Sequence, residues 1–253
     1  MKNDKLIELP DYGRLIVVTD IHGNLEDYNN YLDLWDENDS DFHIVFTGDL
    51  IHASSGEDGS VEILDDVMEK SKKYSNFHTL LGNHECAHIN NDNIYKNNRP
   101  LLLEFKNLVS YKKGFSEPHL TKYIEFFKTM PYFLKTASGL FISHSGPSNK
   151  INSIDSFNKI FDDDFSNPIL DQFLWNRYID DYTRRDVERF LDIVDCKAMI
   201  VGHTPVESYK VFSKQIIMSS SFNTRVKTYL DIDLSLKLND IEDVQKQLKF
   251  IID

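Results

Sequence analysis

The segment HIVFTGDLIHAS, His43 to Ser54, rises through apolar and β-branched residues, breaks at Gly48, places Asp49 next and reaches His52 three positions later. The apolar part reads as a buried strand. A carboxylate at the tip of such a strand stands on a rigid base, where α/β sheets present the groups that bind ligands. Four other runs share this plan. RLIVVT (14–19) leads into Asp20 and His22, and FHTLL (77–81) into Gly82, Asn83, His84 and Glu85. GLFIS (139–143) leads into His144, and KAMIV (197–201) into Gly202 and His203. Singly, Asp20 or Asn83 would serve as a helix cap or turn residue, and His144 or His203 as a hydrogen-bonded histidine at the core edge. Five strands that all end in Asp, His or Asn, with glycine beside nearly every one, point instead to one convergent site.

Between these runs the apolar residues take helical spacing. Leu25, Tyr28, Leu32 and Trp35 share one face, as do Val61, Leu64 and Met68, and later Val187, Phe190, Leu191 and Val194. Pro100 can open a helix from Leu101 to Val109 that stops before Gly114, and another runs from Thr121 to Met130 ahead of Pro131. The alternation is βαβα. The tail QIIMSSSFNTRVKTYLDIDLSLKL predicts one or two further strands with polar alternation, and Ser54 to Ser60 a flexible surface loop.

The chain has 253 residues, 41% of them apolar, enough for a substantial core in a single domain spanning 1–253. Its 41 Asp and Glu against 28 Lys and Arg leave a formal charge of −13, which repels nucleic acid backbones. Cys86 and Cys196 form no disulfide framework. The start MKNDKLIELPDYGR has no apolar signal region, and no apolar stretch reaches membrane-spanning length. A cytoplasmic protein with no membrane partner is the expectation. Oxygen and imidazole donors without thiolates suit two first-row divalent ions, with Mn, Fe or Zn as candidates and one carboxylate bridging them.

The order Asp-x-His-Gly, Gly-Asp, Gly-Asn-His-Glu and two later histidines resembles the calcineurin-like metallophosphoesterases. GNHECAHIN (82–90) is similar to the phosphoprotein phosphatase branch, as are the layouts of FFKTMPYFLKTASGLFISHSGPS and RRDVERFLDIVDCKAMIVGHTPV. The resemblance spans Asp20 to His203. It implies an α/β fold of the metallophosphatase type, a four-layer β-sandwich of mixed sheets flanked by helices. It further implies hydrolysis of phosphate monoesters, on phosphoserine or phosphothreonine of a protein, by a hydroxide bridging two metals. A small phosphorylated substrate, as in a dinucleoside polyphosphate or nucleotide hydrolase, is the alternative, since LWNR (174–177) also looks like that group. A phosphatase-like scaffold without turnover is the third.

Carried over by position, Asp20 and His22 hold the first metal, Asp49 bridges, and Asn83, His144 and His203 hold the second, with Asn83 also near substrate. His84 resembles the general acid, and Glu85 a residue that orients its neighbours. The family continues after Gly-Asp with two residues and then Asp-Arg-Gly; here His52, Ala53 and Ser54 stand there. Four readings of His52 follow: it takes the aspartate's place against His84, where two imidazoles are not both charged cheaply and the acid role of His84 is open to question; it faces the substrate as proton donor; it binds phosphate; or it is exposed. With Ala53 unable to grip phosphate, Arg177 is the candidate cation, and Arg184 and Arg185 fit a solvated helix start. Cys86 reads as a small buried residue.

Overall fold

The computed structural model describes residues 4–53, 56–96, 98–161, 165–221 and 225–252. Its strands are β1 (Leu6–Leu9), β2 (Arg14–Val18), β3 (Phe42–Phe46), β4 (Phe77–Thr79), β5 (Tyr95–Lys96), β6 (Arg99–Pro100), β7 (Phe133–Thr136), β8 (Leu140–Ser143), β9 (Ala198–Val201), β10 (Tyr209–Phe212), β11 (Gln215–Met218), β12 (Val226–Asp233) and β13 (Leu248–Ile252). The helices are α1 (Leu25–Leu32), α2 (Ser60–Lys73), α3 (Asn83–Asn90), α4 (Leu101–Lys113), α5 (Glu117–Thr129), α6 (Ile154–Asn158), α7 (Pro168–Trp175), α8 (Arg184–Ile193) and α9 (Ile241–Gln245).

Successive strand residues point to opposite faces, so a strand buried on both sides feeds two cores. Leu15 and Val17 of β2, Val45 of β3, Leu140 and Ile142 of β8, and Ala198 and Ile200 of β9 share one apolar cluster, which therefore lies between two sheets. Their neighbours Ile16, Val18, Ile44, Phe46, Phe141, Met199 and Val201 face outward and pack with helix residues such as Tyr28, Leu64, Phe105, Phe173 and Phe190. The result is helix, sheet, sheet and helix, the expected four layers. One sheet has the order β1-β7-β8-β9-β11-β10 and the other β13-β12-β2-β3-β4; β5 and β6 form a separate hairpin. Both sheets mix parallel and antiparallel pairs, with β2, β3 and β4 parallel to one another and β8 parallel to β9.

All five anticipated runs are strands, each ending before its polar residue because those residues leave the ladder. The tail holds β11, uniformly buried rather than alternating, and β12, which does alternate. The surface-loop reading of 54–60 holds at the exposed Gly56 and Glu57 and needs correction at its end. Ser54 and Ser55 lie outside the described residues, but Ser60 is fully buried at the start of α2. Its amide donates to Asp58 at 3.0 Å, and the same carboxylate accepts from the Ala53 amide. No helix among the described residues is long and apolar enough to cross a membrane.

Candidate active site

The parallel strands β2, β3 and β4 end at one edge of their sheet, and β8 and β9 bring two histidines to the same place from the other. Three hydrogen bonds tie these ends together. The His203 amide donates to both Asp20 carboxylate oxygens at 3.0 and 3.1 Å, and His144 Nδ1–H donates to the Thr47 carbonyl at 3.0 Å. Three strand-end residues, His22, Asp49 and His203, have φ of 48°, 52° and 59°, and His52 has φ of 70°. Left-handed backbone costs a side-chain-bearing residue about 1–3 kcal/mol and persists only where its surroundings enforce it.

The enforcement is visible around Asp49. The buried Glu85 carboxylate accepts from the amides of Asp49 (2.9 Å), Leu50 (2.8 Å) and Gly82 (3.1 Å). The Asp49 carbonyl in turn accepts from the amides of Ile21 (3.0 Å) and His22 (2.8 Å). At Gly48 an added Cβ would stand 2.4 Å from the Gly82 nitrogen, so the two turns pack backbone against backbone. Glu85 thus orients its neighbours, as the sequence implied, by gathering three main-chain donors. Burial pushes its carboxyl up to about 7, with the Asp49 charge adding to the effect.

Backbone carbonyls also set the imidazole tautomers. His22 Nδ1–H points to the Ile51 carbonyl at 3.3 Å, His144 Nδ1–H to Thr47, and His203 Nε2–H to the Trp175 carbonyl at 3.1 Å. Each ring then turns its lone pair inward. His144 Nε2 lies 3.6 Å from Asp49 Oδ1, and His22 Nε2 lies 3.8 Å from Asp49 Oδ2 and 4.0 Å from Asp20 Oδ2. Asn83 Oδ1 is 2.9 Å from His144 Nε2 and 3.1 Å from His203 Nδ1. Acceptors therefore face acceptors across one small volume; with its amide turned over, Asn83 would instead offer its N–H to Asp49, His144 and His203.

A cation satisfies such an arrangement. Two groups of donors meet the spacing, His22 with Asp49 and His84, and Asp49 with His144 and His203, and they share Asp49. The donors are carboxylate, imidazole and amide oxygen, which fits first-row divalent ions. Burial raises the Asp49 carboxyl, opposed by His144 and His22. At Asp20 burial works in the same sense, but His144, His22 and the His203 amide together hold the carboxyl below its ordinary value.

His52 is 3% exposed, which overturns the exposed reading. Its Nδ1 lies 2.7 Å from His84 Nδ1 and its Nε2 lies 3.0 Å from Nε2 of His88. With both ring nitrogens engaged, it faces neither a phosphate nor a leaving group, so the substrate-facing reading is corrected as well. His52 stands against His84. Burial pushes its pKa well below the ordinary histidine value, reinforced by His88 and His22.

The cleft over this cluster has a volume of about 210 Å³ and is lined by Asp49, Asn83, His84, Tyr95, Lys96 and Arg177, among others. Arg177 is exposed there, and Lys96 stands beside it on the β5–β6 hairpin. Lys96 and His88 were missed from sequence. Lys96 lies in a stretch with no periodic pattern, whereas His88 follows His84 by four residues on α3, one turn along the same face, a spacing that could have revealed it. Arg184 and Arg185 are exposed at the start of α8, as expected. Cys86 is buried, its thiol pushed up to about 12 by burial, which fits its reading as a small buried residue.

Relatives agree with this architecture. No curated protein matches the sequence. A protein serine/threonine phosphatase from Saccharomyces cerevisiae with similarity to human phosphatase PP5 superposes with a TM-score of 0.73 at 16% identity, covering 98% of this chain and 82% of that one. A cold-active protein-tyrosine phosphatase of a psychrophile Shewanella sp. superposes with a TM-score of 0.66 at 15% identity, covering 99% and 84%. At such identities these likenesses show the fold alone. The model of the calcineurin-like phosphoesterase family matches residues 13–207, most of the chain and every strand-end residue described above, and the chain belongs to that family.

Proposed function

We propose that the protein is a metal-dependent phosphomonoesterase acting on phosphorylated protein side chains, with phosphoserine and phosphothreonine as its substrates, and that residues 1–253 work as one domain. The observation that carries this reading is the ring of inward-facing acceptors around Asp49. Asp20, His22 and Asp49 would hold one ion, and Asp49, Asn83, His144 and His203 the other, with manganese the first candidate and iron or zinc the alternatives. Divalent ions there would acidify a water and neutralise phosphate charge.

The chain's own side chains do the rest. His84, with Nε2 3.7 Å from Asp49 Oδ2, presents its proton to the leaving oxygen. Lys96 and Arg177 take the outer phosphate oxygens, making good the absence of an arginine at Ala53. The two cysteines, both free and buried, fit a reducing cytoplasm.

The test is hydrolysis of p-nitrophenyl phosphate with added Mn²⁺, followed by a phosphoserine peptide against a diadenosine polyphosphate, with metal analysis of the purified protein. Phosphate released from the peptide alone supports the proposal. Nucleotide products would move the chain to the polyphosphate hydrolases, and bound metal with no turnover would mark a scaffold.

A further inference from the structure

We infer that His88 is a positioning residue for His84, acting through His52, the three imidazoles forming one hydrogen-bonded chain that assigns the tautomer of each ring. The inference rests on His84 being the proton donor and extends it with a residue outside the cleft. When His84 carries hydrogen on both ring nitrogens, Nε2–H faces the cleft and Nδ1–H donates to His52 Nδ1 at 2.7 Å. A neutral imidazole that accepts at Nδ1 carries its hydrogen at Nε2. His52 Nε2–H therefore donates to His88 Nε2 at 3.0 Å, and His88 keeps its hydrogen on Nδ1. Each contact then holds one proton, and no N–H meets another.

The packing supports a neutral chain. His52 and His88 are 3% and 8% exposed, and the Phe105 ring stands edge-on to both, with centroids 5.7 and 5.0 Å away. Burial lowers the His88 pKa to about 4. Two neutral imidazoles in series orient the His84 ring by dipoles, without a buried carboxylate. In the chemical step the oxygen of an incoming hydroxide bonds to phosphorus while the P–O bond to the leaving group breaks; its electron pair goes to the leaving oxygen, where an O–H bond forms as the His84 Nε2–H bond breaks. The Nδ1–H···Nδ1 and Nε2–H···Nε2 contacts keep their sense throughout, so no ring has to turn. His88 lines a second cavity, of about 310 Å³, with Leu102, Lys106, Glu117 and Leu120, so its replacement does not touch the cleft.

Ring-¹⁵N-histidine NMR of the whole protein tests the chain directly. Wild type should show scalar coupling across both N–H···N contacts, and His88→Phe should lose the His52–His88 coupling and alter the His84 ring shifts. Phosphate esters of graded leaving groups give the second readout. His88→Phe should lower kcat about tenfold for an alkyl phosphate, leave p-nitrophenyl phosphate nearly unchanged because its leaving group needs no proton, and keep KM. His88→Gln, whose amide oxygen can accept from His52, should recover most of the loss. Wild type without the couplings, or a His88→Phe variant with unaltered leaving-group dependence, would overturn the inference. Couplings present in a protein that hydrolyses no phosphate ester would support the chain and sink only the substrate reading.

Discussion

At the scale of single residues, Asp49 is the centre of the proposed site. It belongs to both donor groups, its backbone is left-handed, and its burial leaves a carboxylate in need of a positive partner. Asp49→Asn should abolish turnover and lower the content of both metals, read by elemental analysis; full stoichiometry with full rate would contradict the bridging role. Gly48 has no room for a methyl group against Gly82 and has φ of 101°, so Gly48→Ala should cost about 2–4 kcal/mol in a urea titration. Lys96→Ala should raise KM for phosphate esters about tenfold with kcat nearly unchanged, the loss of one charge-assisted hydrogen bond to phosphate. Steady-state kinetics at two ionic strengths would check it. The sequence showed that an arginine was missing at Ala53; which cation stands over the cleft depends on where the β5–β6 hairpin folds.

Elements decide how these residues meet. α3 starts at Asn83, with three residues between it and the end of β4 at Thr79, so the metal-facing amide, the candidate acid and the Glu85 carboxylate come from its first turn, and the His84 amide donates to Asp49 Oδ1 at 3.0 Å. Its sequence NHECAHIN has little amphipathic pattern because nearly every position is buried, which is why periodicity did not reveal the helix. α7 presents the Trp175 carbonyl that fixes the His203 tautomer. Its N-cap, Asn167, accepts from the amides of Ile169 and Leu170 at 2.8 and 3.3 Å. Asn167→Ala should cost about 1 kcal/mol of stability and lower affinity for the second metal, measured by thermal melts and metal titration.

For the whole molecule, histidines whose folded pKa is lowered by their surroundings, the half-buried His78 and the buried His88, contribute to the response to acid. His78 is pushed down to about 3 by burial and the neighbouring His43, and His88 to about 4 by burial, against about 6.5 in the unfolded chain. Their folded pKa values lie below the unfolded ones, so their full contribution is present above pH 6.5 and is lost as the pH falls from there toward 3–4. Each should contribute a slope of about 1.4 kcal/mol per pH unit. Urea midpoints between pH 7 and 5 would show it, and His78→Phe should flatten the slope by one histidine's share. By itself the sequence determined the five strands, the polar residue at each tip and the glycines beside them, because burial on both faces and backbone freedom are local properties written in consecutive residues. Tertiary structure alone decided that three of those tips belong to one sheet and two to the other, that His52 turns inward to meet His84 and His88, and that Lys96 stands over the cleft. Those facts depend on which distant segments pack together, and a run of residues carries no record of a partner that only the assembled core brings within bonding distance.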